Sequence, residues 1–368
     1  MIELTLTKSA LLSSLMAISG AVDKKQSLMI LSNILMTIGQ DHLLFTATDL
    51  EIEITASLDY FSSTPLSGKI TIPAKKLLDI VRFLDEDELK MSIDEGVVII
   101  KSGRSQFKLS TLPADQYPES DNQLPDIEFS IARDVFLNLI QSTHFAMAQQ
   151  DVRIFLNSLL IEMDGQFITT VAMDGHRMAV SRFLGDYHFS KQQFLLPRRS
   201  VSEMLRLLNV IQDEQLAIKA GKGFFSVCTR QFSFITKLTE ARFPNYHKIL
   251  PRQHDKFVLI ERDYLKRALS RISILANEKT HGILLNIQPG SLILIAKNQE
   301  QEEANEQLEA TVDGEALKVG MNAVYLLDVL NYVPEGLVRL SMSTMEQSIL
   351  IESLANESHQ YIIMPMKL

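Results

Sequence analysis

"IERDYLKRALSRISIL" at residues 260–275 predicts an amphipathic helix, because its apolar side chains recur three or four positions apart. Asp263, near the start, favours a helix N-terminus. The same Ile-x-Arg-Asp opening begins "IARDVFLNLIQSTHF" at 131–145, and a related amphipathic segment, "LTKSALLSSLMAIS", occupies 6–19. The spacing of about 122–129 residues between equivalent segments indicates that one unit occurs three times in the chain.

Each copy of the unit continues with the same succession of strands and helices. Alternating apolar and polar residues around turn-forming residues predict paired strands, a second amphipathic helix follows, and two more strands close the copy. The predicted fold class is therefore α+β, with three similar two-layer domains, each an antiparallel sheet plus two helices. The predicted strand pairs lie at 34–54, 159–180 and 283–298, with turns at "GQDH", "MDGQ" and "QPGS"; the second helices lie at 72–84, 196–208 and 319–333; the domains span 1–126, 127–254 and 255–368.

Proline-containing segments end the copies: "TLPADQYP" (111–118), "RFPNYHKILP" (242–251) and "IIMPMKL" (362–368). Proline fixes φ and removes a backbone donor, so the first two are expected to be stiff connections that hold the domains in an arc. An arc leaves a sheet edge exposed at each end. Head-to-tail pairing of two arcs would close a dimeric ring of six domains. The edges are expected at 105–112 and, at the other end, at 271–278 with 300–306.

Composition excludes several classes of protein. Apolar residues make up 46% and charged residues 22% of the 368 residues, as in an ordinary folded chain. Cys228 is the only cysteine, which excludes an intramolecular disulfide and a cysteine-based metal site and fits a reducing, cytoplasmic compartment. Residues 10–22 are apolar, but Ser13 and Ser14 interrupt them, so a helix is expected rather than a signal peptide. The net charge of −9 argues against a large basic face, so binding of DNA would have to use a local patch or not depend on tight contacts.

Eight motifs follow one another along the whole chain: "FTATDLEIEI" (45–54), "SGRSQFKLSTLPA" (102–114), "AQQDVRIFLNS" (148–158), "MDGHRMAV" (173–180), "RFPNYHKILP" (242–251), "ILANEKTHGILL" (274–285), "YLLDVLNYV" (325–333) and "YIIMPMKL" (361–368). Together they resemble the bacterial sliding clamps, the β subunits of DNA polymerase III. The resemblance implies a homodimeric ring that encircles double-stranded DNA, with helices lining the hole, and tethers the polymerase without catalysing a reaction. It implies no catalytic residue, no cofactor and no metal. The implied partners are a clamp loader, the DNA polymerase III catalytic subunit, and other polymerases, ligase and mismatch-repair proteins that present short peptide motifs.

A topological link would hold DNA without strong contacts, which agrees with the acidic net charge, because each phosphate contact adds salt-dependent affinity. Basic residues on the predicted helices are the expected lining, although each could equally belong to an ordinary solvated helix face. Lys25, Gln150 and Arg153 match family residues that contact DNA. The family often has aromatic residues beside that arginine, where this chain has Ile154 and Phe155. The predicted lining residues are Lys75, Lys76, Arg82, Arg198, Arg199, Arg206, Lys266, Arg267 and Arg271.

The family binds its partners in an apolar cleft between the second and third domains. Methionine side chains repack around different anchors, and Gly175 lets a peptide backbone approach closely. Arg177 and Lys367 would pair with polar or acidic groups of the peptide. Met173 stands where threonine is usual, and Lys367 where arginine is common; both changes are expected to shift peptide preference. Motif matching places the cleft at Leu156, Met173, Gly175, His176, Arg177, Met178, Pro244, Lys248, Ile249, Ser348, Ile362, Met364, Pro365, Met366, Lys367 and Leu368.

The same matching predicts the joint that closes the ring. Apolar residues from one end are expected to meet apolar residues from the other, flanked by ion pairs. Exposed ion pairs contribute under ~1 kcal/mol each, so they would set the register rather than supply stability. The predicted interface residues are Arg104, Phe107, Leu109, Ile274, Leu275, Glu300 and Glu303, with Lys108, Glu302 and Glu306 as further members of the ion pairs.

Two other classes of protein remain open at this point. An enzyme would need a general base, which Asp174 and His176 could supply, but no G-x-S-x-G, Walker A or zinc-binding spacing accompanies them. The acidic run "EQEEANE" (300–306) lacks EF-hand spacing. The other alternative is a three-domain scaffold that binds peptides but does not encircle DNA. Loss of dimerisation would favour the scaffold, and turnover abolished by His176→Ala would favour an enzyme.

Overall fold

Six α-helices occur in the part of the chain that the computed structural model describes, residues 2–22, 28–60, 67–94, 96–120, 124–250, 254–356 and 358–367. Each helix lies inside a segment for which the apolar spacing predicts one. The helices are α1 (Lys8–Ile18), α2 (Ala74–Phe83), α3 (Arg133–Gln141), α4 (Arg198–Leu208), α5 (Arg262–Ile272) and α6 (Ala323–Tyr332).

Local chemistry explains where the third-repeat helices begin. Glu261 precedes α5 and its carboxylate accepts a hydrogen bond from Tyr264 N, while Asn322 precedes α6 and its side chain accepts from Tyr325 N at 3.2 Å. Such caps satisfy backbone donors that the first turn of a helix leaves free. The apolar face of α5 is then buried against its sheet through Leu265, Ala268, Leu269 and Ile272.

The strands follow the repeat. The first repeat contains β1 (Ile2–Thr7), β2 (Asn33–Ile38), β3 (His42–Thr48), β4 (Ile52–Asp59), β5 (Gly68–Pro73), β6 (Glu88–Asp94), β7 (Val97–Ser102) and β8 (Ser105–Ser110). The second contains β9 (Ile127–Ala132), β10 (Ser158–Met173), β11 (Arg177–Pro197), β12 (Gln215–Gly221), β13 (Phe224–Cys228) and β14 (Phe232–Lys237). The third contains β15 (Lys256–Glu261), β16 (Gly282–Gln288), β17 (Ser291–Lys297), β18 (Glu303–Glu309), β19 (Thr311–Asp313), β20 (Leu317–Asn322), β21 (Leu337–Met342), β22 (Ile349–Ser353) and β23 (His359–Ile363).

The chain divides into two compact units: unit 1 is Met1–Phe136 with Arg199–Leu238, and unit 2 is Leu137–Arg198 with Thr239–Leu368. Unit 1 contains sheets of order β1-β6-β7-β8 and β5-β2-β3-β4-β14-β13-β12-β9. Unit 2 contains sheets of order β10-β11-β23-β22-β21-β15-β19 and β18-β17-β16-β20. The units do not coincide with the repeats, because β14 pairs with β4 and β23 pairs with β11, both antiparallel and both across a repeat boundary.

The turns inside the repeats differ in one place from the prediction. "GQDH" joins β2 to β3, and "QPGS" joins β16 to β17 with Gly290 at φ 75°. "MDGQ" is not a separate turn, because it lies within β10, where the pairing shifts register around Gly165 (φ 58°). Before this point β10 lies opposite residues 192–197, and after it opposite 178–184. The three-domain α+β fold with antiparallel sheets is otherwise as predicted.

A buried tyrosine fastens each connecting segment to the sheet of its own repeat. The Tyr117 hydroxyl donates to Thr46 O at 3.2 Å, and the Tyr246 hydroxyl donates to Glu162 Oε1 at 2.8 Å. Tyr117 is 4% exposed and Tyr246 is 3% exposed. These two tyrosines therefore attach the proline-containing connections to their own sheets.

Candidate functional site

Several residues predicted for the peptide cleft meet in one buried cluster of unit 2. Leu156, Met173, Met178 and Ile362 are each at most 6% exposed, although they come from the segment before β10, the two sides of the β10–β11 turn and β23. Strand pairing brings them together, because β11 lies between β10 and β23. The cluster consists of Ala148, Leu156, Leu160, Val171, Met173, Met178, Val180, Leu195, Phe243, Tyr246, Leu350 and Ile362, with Phe155, Ala241, Ile249 and Leu250 packed against it.

The second connecting segment forms one side of this cluster and is held by a buried carboxylate. Tyr246 and Gln193 donate hydrogen bonds to Glu162 at 2.8 and 2.6 Å, and Lys191 Nζ lies 3.4 Å away. Burial would raise the pKa of Glu162, but these hydrogen bonds and the lysine charge together hold it below its usual value. Glu162 is therefore a charged anchor for the segment that carries Ile249.

The C-terminal tail is fixed through its backbone. Met364 N donates to His176 O at 2.8 Å, and Met366 N donates to Gly320 O at 2.9 Å. Met364 is 45% exposed, whereas the predicted methionines of β10 and β11 are core residues of the cluster. The sequence suggested that four methionine side chains could repack around a bound peptide. In the structure this freedom remains mainly for the methionines of the tail.

Asp174 organises the turn between β10 and β11. Its Oδ1 atom accepts hydrogen bonds from His176 N and Arg177 N, both at 2.9 Å. Gly175 has φ 92°, a left-handed conformation that glycine adopts without strain, and a Cβ there would lie 3.3 Å from Arg153 Nη2. The carboxylate considered above as a general base is thus engaged in holding the turn.

Arg177 is enclosed by groups that were not among the predicted cleft residues. Its Nε donates to Asp174 Oδ2 at 3.0 Å, Nη1 to Asp328 Oδ2 at 2.5 Å, and Nη2 to Phe145 O at 3.0 Å. Its Cζ lies 5.3 Å from the Phe145 ring centre and 4.5 Å from that of Tyr325. Tyr325 and Asp328 are three positions apart on α6, so both lie on one face of the helix. This spacing is the signal in the sequence that groups the two residues together.

The remaining predicted cleft residues differ in exposure. Pro244, Ser348 and Pro365 are half-buried, and Lys248 and Lys367 are exposed. Leu368 lies outside the described residues. The exposed lysines leave cations at the connecting segment and at the tail, whereas Arg177 is only 11% exposed and already paired.

The residues predicted to line a DNA channel fall into two groups. Lys75 and Lys76 on α2 and Arg267 on α5 are exposed, and none of the three has an ion pair within the described part of the chain. Lys266 is half-buried, and Lys25 lies outside the described residues. The arginines other than Arg267 have partners inside the protein: Arg82 is 3.9 Å from Asp79, Arg198 donates to Met147 O at 2.7 Å, Arg199 pairs with Asp49, Arg206 pairs with Glu203 at 2.8 Å, and Arg271 pairs with Glu306.

Gln150 and Arg153 lie in the segment before β10. Gln150 is exposed with φ 57°, and the Arg153 guanidinium binds both carboxylate oxygens of Asp151 at 3.0 Å. Hydrogen bonds from Arg153 lower the pKa of Asp151 to about 2. Ile154 is 53% exposed, whereas Phe155 packs edge-on against a ring of the buried cluster, so stacking of a base on Phe155 is not supported.

Among the described residues, β8 in unit 1 and β18 in unit 2 are edge strands with a neighbour on one side only, as are the other strands that end the four sheets. Phe107 is half-buried and Leu109 is buried on β8, and Arg104 is exposed in the turn before it. Segment 271–278 was expected to form part of an edge, but its first half is helical, since α5 and the following 3-10 turn Ser273–Leu275 occupy it. Ile274 in that turn is 78% exposed, and Leu275 is half-buried. Glu300 is exposed in the loop before β18, and Glu303 begins β18 and pairs with Lys297 at 2.9 Å.

Within the described ranges, no helix is both long and apolar enough to cross a membrane. The same residues contain no group of three or more side chains arranged to hold a metal ion.

Comparison with known proteins gives matches along the whole chain. Residues 2–121 match the family model of the N-terminal domain of the DNA polymerase III beta subunit. Residues 130–245 match the model of the central domain, and residues 247–367 match that of the C-terminal domain. The beta sliding clamp of Pseudomonas aeruginosa is 39% identical over 368 residues, which cover 99% of each chain.

Solved structures agree. The P. aeruginosa sliding clamp bound to griselimycin matches with a TM-score of 0.96 and 38% identity, over 100% of this chain and 99% of that one. The C. crescentus clamp, with a polyethylene glycol bound at a proposed β-motif tethering region, matches with a TM-score of 0.94 and 28% identity, over 100% of this chain and 99% of that one.

Proposed function

This chain belongs to the family of DNA polymerase III β subunits, the β sliding clamps, and from this premise we propose that two copies form a ring around double-stranded DNA. The ring tethers the replicative polymerase to its template and catalyses no reaction itself. The observation that carries the proposal is the pattern of strand pairing at the repeat boundaries, because β8 and β18 are equivalent to strands that pair there and are themselves edge strands.

The edges of β8 and β18 are equivalent to edges that are paired elsewhere in the chain. β8, β14 and β23 are each the last strand of their repeat, and β4 and β18 are each the third strand after the first helix of their repeat. The first part of β11 holds this third place in the second repeat, because β10 is interrupted at Gly165 and spans the first two places. Inside the chain, β14 pairs with β4 and β23 pairs with β11. By the same rule β8 pairs with β18 of a second copy, and two such joints close the ring.

The internal pairing also supplies a register for the joint. Ile235 of β14 lies opposite Glu53 of β4. Their equivalents are Lys108 of β8 and Glu303 of β18, so these two residues face each other across the joint. A lysine opposite a glutamate favours this register over its neighbours. This pair belongs to the set of ion pairs expected from the sequence.

The DNA-facing surface relies on few direct contacts. The exposed cations on this surface are Lys75, Lys76 and Arg267. Gln150 and Arg153 are the proposed contacts for DNA that leans against one face of the ring. The net charge of −9 fits a protein held on DNA by topology, because numerous phosphate contacts would make binding tight and oppose sliding.

The buried cluster of unit 2, with the exposed tail beside it, is the proposed docking cleft for short peptides. Its occupants are the clamp loader, the DNA polymerase III catalytic subunit and other replication and repair proteins, in the cytoplasm. Apolar and aromatic anchors would pack on the tail methionines and the connecting segment.

The deciding experiment uses nicked circular DNA, a clamp loader and ATP. The isolated protein–DNA complex is cut once with a restriction enzyme. Release of the protein on linearisation is expected for a ring. Retention would refute encirclement and favour the peptide-binding scaffold, whose basic residues would then have to bind DNA directly.

A further inference from the structure

Arg177 is surrounded by more negative charge than it carries. One guanidinium meets two carboxylates, Asp174 and Asp328, so the group as a whole has a charge of −1. The rings of Phe145 and Tyr325 lie against the same guanidinium. In this setting Arg177 does not act as the free cation that its place in the cleft motif suggests.

The two carboxylates have different roles. Asp174 uses one oxygen to hold the backbone of its own turn and the other to meet Arg177. Asp328 comes from α6, 151 positions away, and is 33% exposed in its side chain. Its contact joins α6 to the turn whose His176 carbonyl accepts the hydrogen bond from Met364 N of the tail.

We propose that Asp328 is a specificity-determining and positioning residue of the peptide cleft. Because Asp174 already balances the charge of Arg177, Asp328 makes the group net negative, which disfavours acidic peptides, and its contact with Arg177 holds the 174–177 turn against the tail. The cleft therefore selects its partners by apolar anchors rather than by acidic side chains at this end. This inference rests on the proposed peptide-binding function.

The repeat provides a matched control. Leu326-Leu327-Asp328 on α6 recurs as Leu77-Leu78-Asp79 on α2. Asp79 lies 3.9 Å from Arg82 on its own helix, whereas Asp328 is 2.5 Å from an arginine of another element. Changes at Asp79 therefore remove the same charge from the same local sequence without touching the Arg177 contact.

The experiment measures the Kd of two labelled peptides for the full-length protein. Both peptides carry leucine and phenylalanine anchors, and they differ only by Asn or Asp between the anchors. Asp328→Asn keeps an acceptor for Arg177 but removes the charge, so the neutral peptide should bind as before and the acidic one about threefold to fivefold more tightly. Asp328→Ala also removes the acceptor, so the neutral peptide should bind about fivefold more weakly, with the acidic peptide affected less. Asp79→Asn and Asp79→Ala should change neither Kd.

If both Asp328 variants weakened the binding of both peptides equally, Asp328 would have only a structural role and the proposal would be overturned. The proposal would also be overturned if neither variant changed either Kd. The Arg177 Nη1 protons, which face Asp328, give a reading without a peptide: their exchange, followed by NMR, should be faster in Asp328→Ala than in wild type or Asp79→Ala. Unchanged exchange would refute the positioning role. If wild-type protein bound neither peptide, the peptide-binding function itself would fail, and the specificity claim with it.

Discussion

Replacing Tyr246 with phenylalanine removes the hydroxyl that donates to the buried carboxylate of Glu162 at 2.8 Å. Hydrogen bonds to charged groups contribute about 1.5–3 kcal/mol, and Glu162 keeps its bond from Gln193, so a loss near the lower end is expected. For a unit of this size each kcal/mol lowers Tm by about 2–4 °C. The matched control is Tyr117→Phe, where the acceptors are neutral carbonyls and the loss is expected at about 0.5–1.5 kcal/mol.

Measurement of both variants against pH separates the two cases. The pKa of Glu162 is held below its usual value in the folded protein, so its ionised form stabilises the fold above the unfolded pKa. That stabilisation is lost as pH falls through the folded pKa. The gap in Tm between wild type and Tyr246→Phe should therefore be full at neutral pH and shrink in acid. The gap for Tyr117→Phe should stay constant. Equal gaps at neutral pH that respond alike to acid would refute a charged anchor.

Three further outcomes are expected. Lys108→Glu should weaken the dimer by about fivefold in sedimentation equilibrium, and adding Glu303→Lys should restore it; a double variant no better than the single one contradicts the register. Gly175→Ala places a residue with a Cβ in a left-handed conformation of φ 92°, at a cost of about 1–2 kcal/mol. This cost should lower the Tm and weaken peptide binding, and unchanged values would show that the turn changes its conformation to accommodate alanine. Lys75→Glu with Lys76→Glu should flatten the salt dependence of direct DNA binding by about one unit per lysine, while retention on closed circles persists.

The elements of the fold were predictable from the sequence because their signals are local. Apolar residues three or four positions apart identified all six helices, since that spacing reports on one helix face whatever lies opposite it. Asp164-Gly165 predicts a turn because Asp-Gly is a common hairpin sequence. In the structure β10 continues through this point, since it pairs with β11 on both sides of Gly165, and the local sequence does not report that long-range pairing. Segment 271–278 was misassigned for the same reason: only its contacts decide between an edge and a helix end.

The chemistry of the site was less predictable. Motif matching named Arg177 and the neighbouring Asp174, but its other partners lie on α6 and in the segment before β10. The spacing of Tyr325 and Asp328 places both on one helix face, but it does not show that this face meets Arg177. Met173 and Met178 were placed in the cleft by the same matching, and the side-chain flexibility expected of them is lost because both are enclosed by the cluster. Burial and pairing are properties of the assembled unit, and residue type alone does not report them.

The strand pairs that cross the repeat boundaries bear on how the protein can be taken apart. The middle repeat is paired on one side through β14 with β4 and on the other through β11 with β23. If residues 127–254 were produced alone, two strand edges would lose their partners. Each edge would then expose unpaired backbone hydrogen-bonding groups that can pair with another molecule. The repeats are therefore copies in sequence but not exchangeable modules. Shortened variants should therefore end within a loop of a compact unit, and their solubility should be checked before any binding assay.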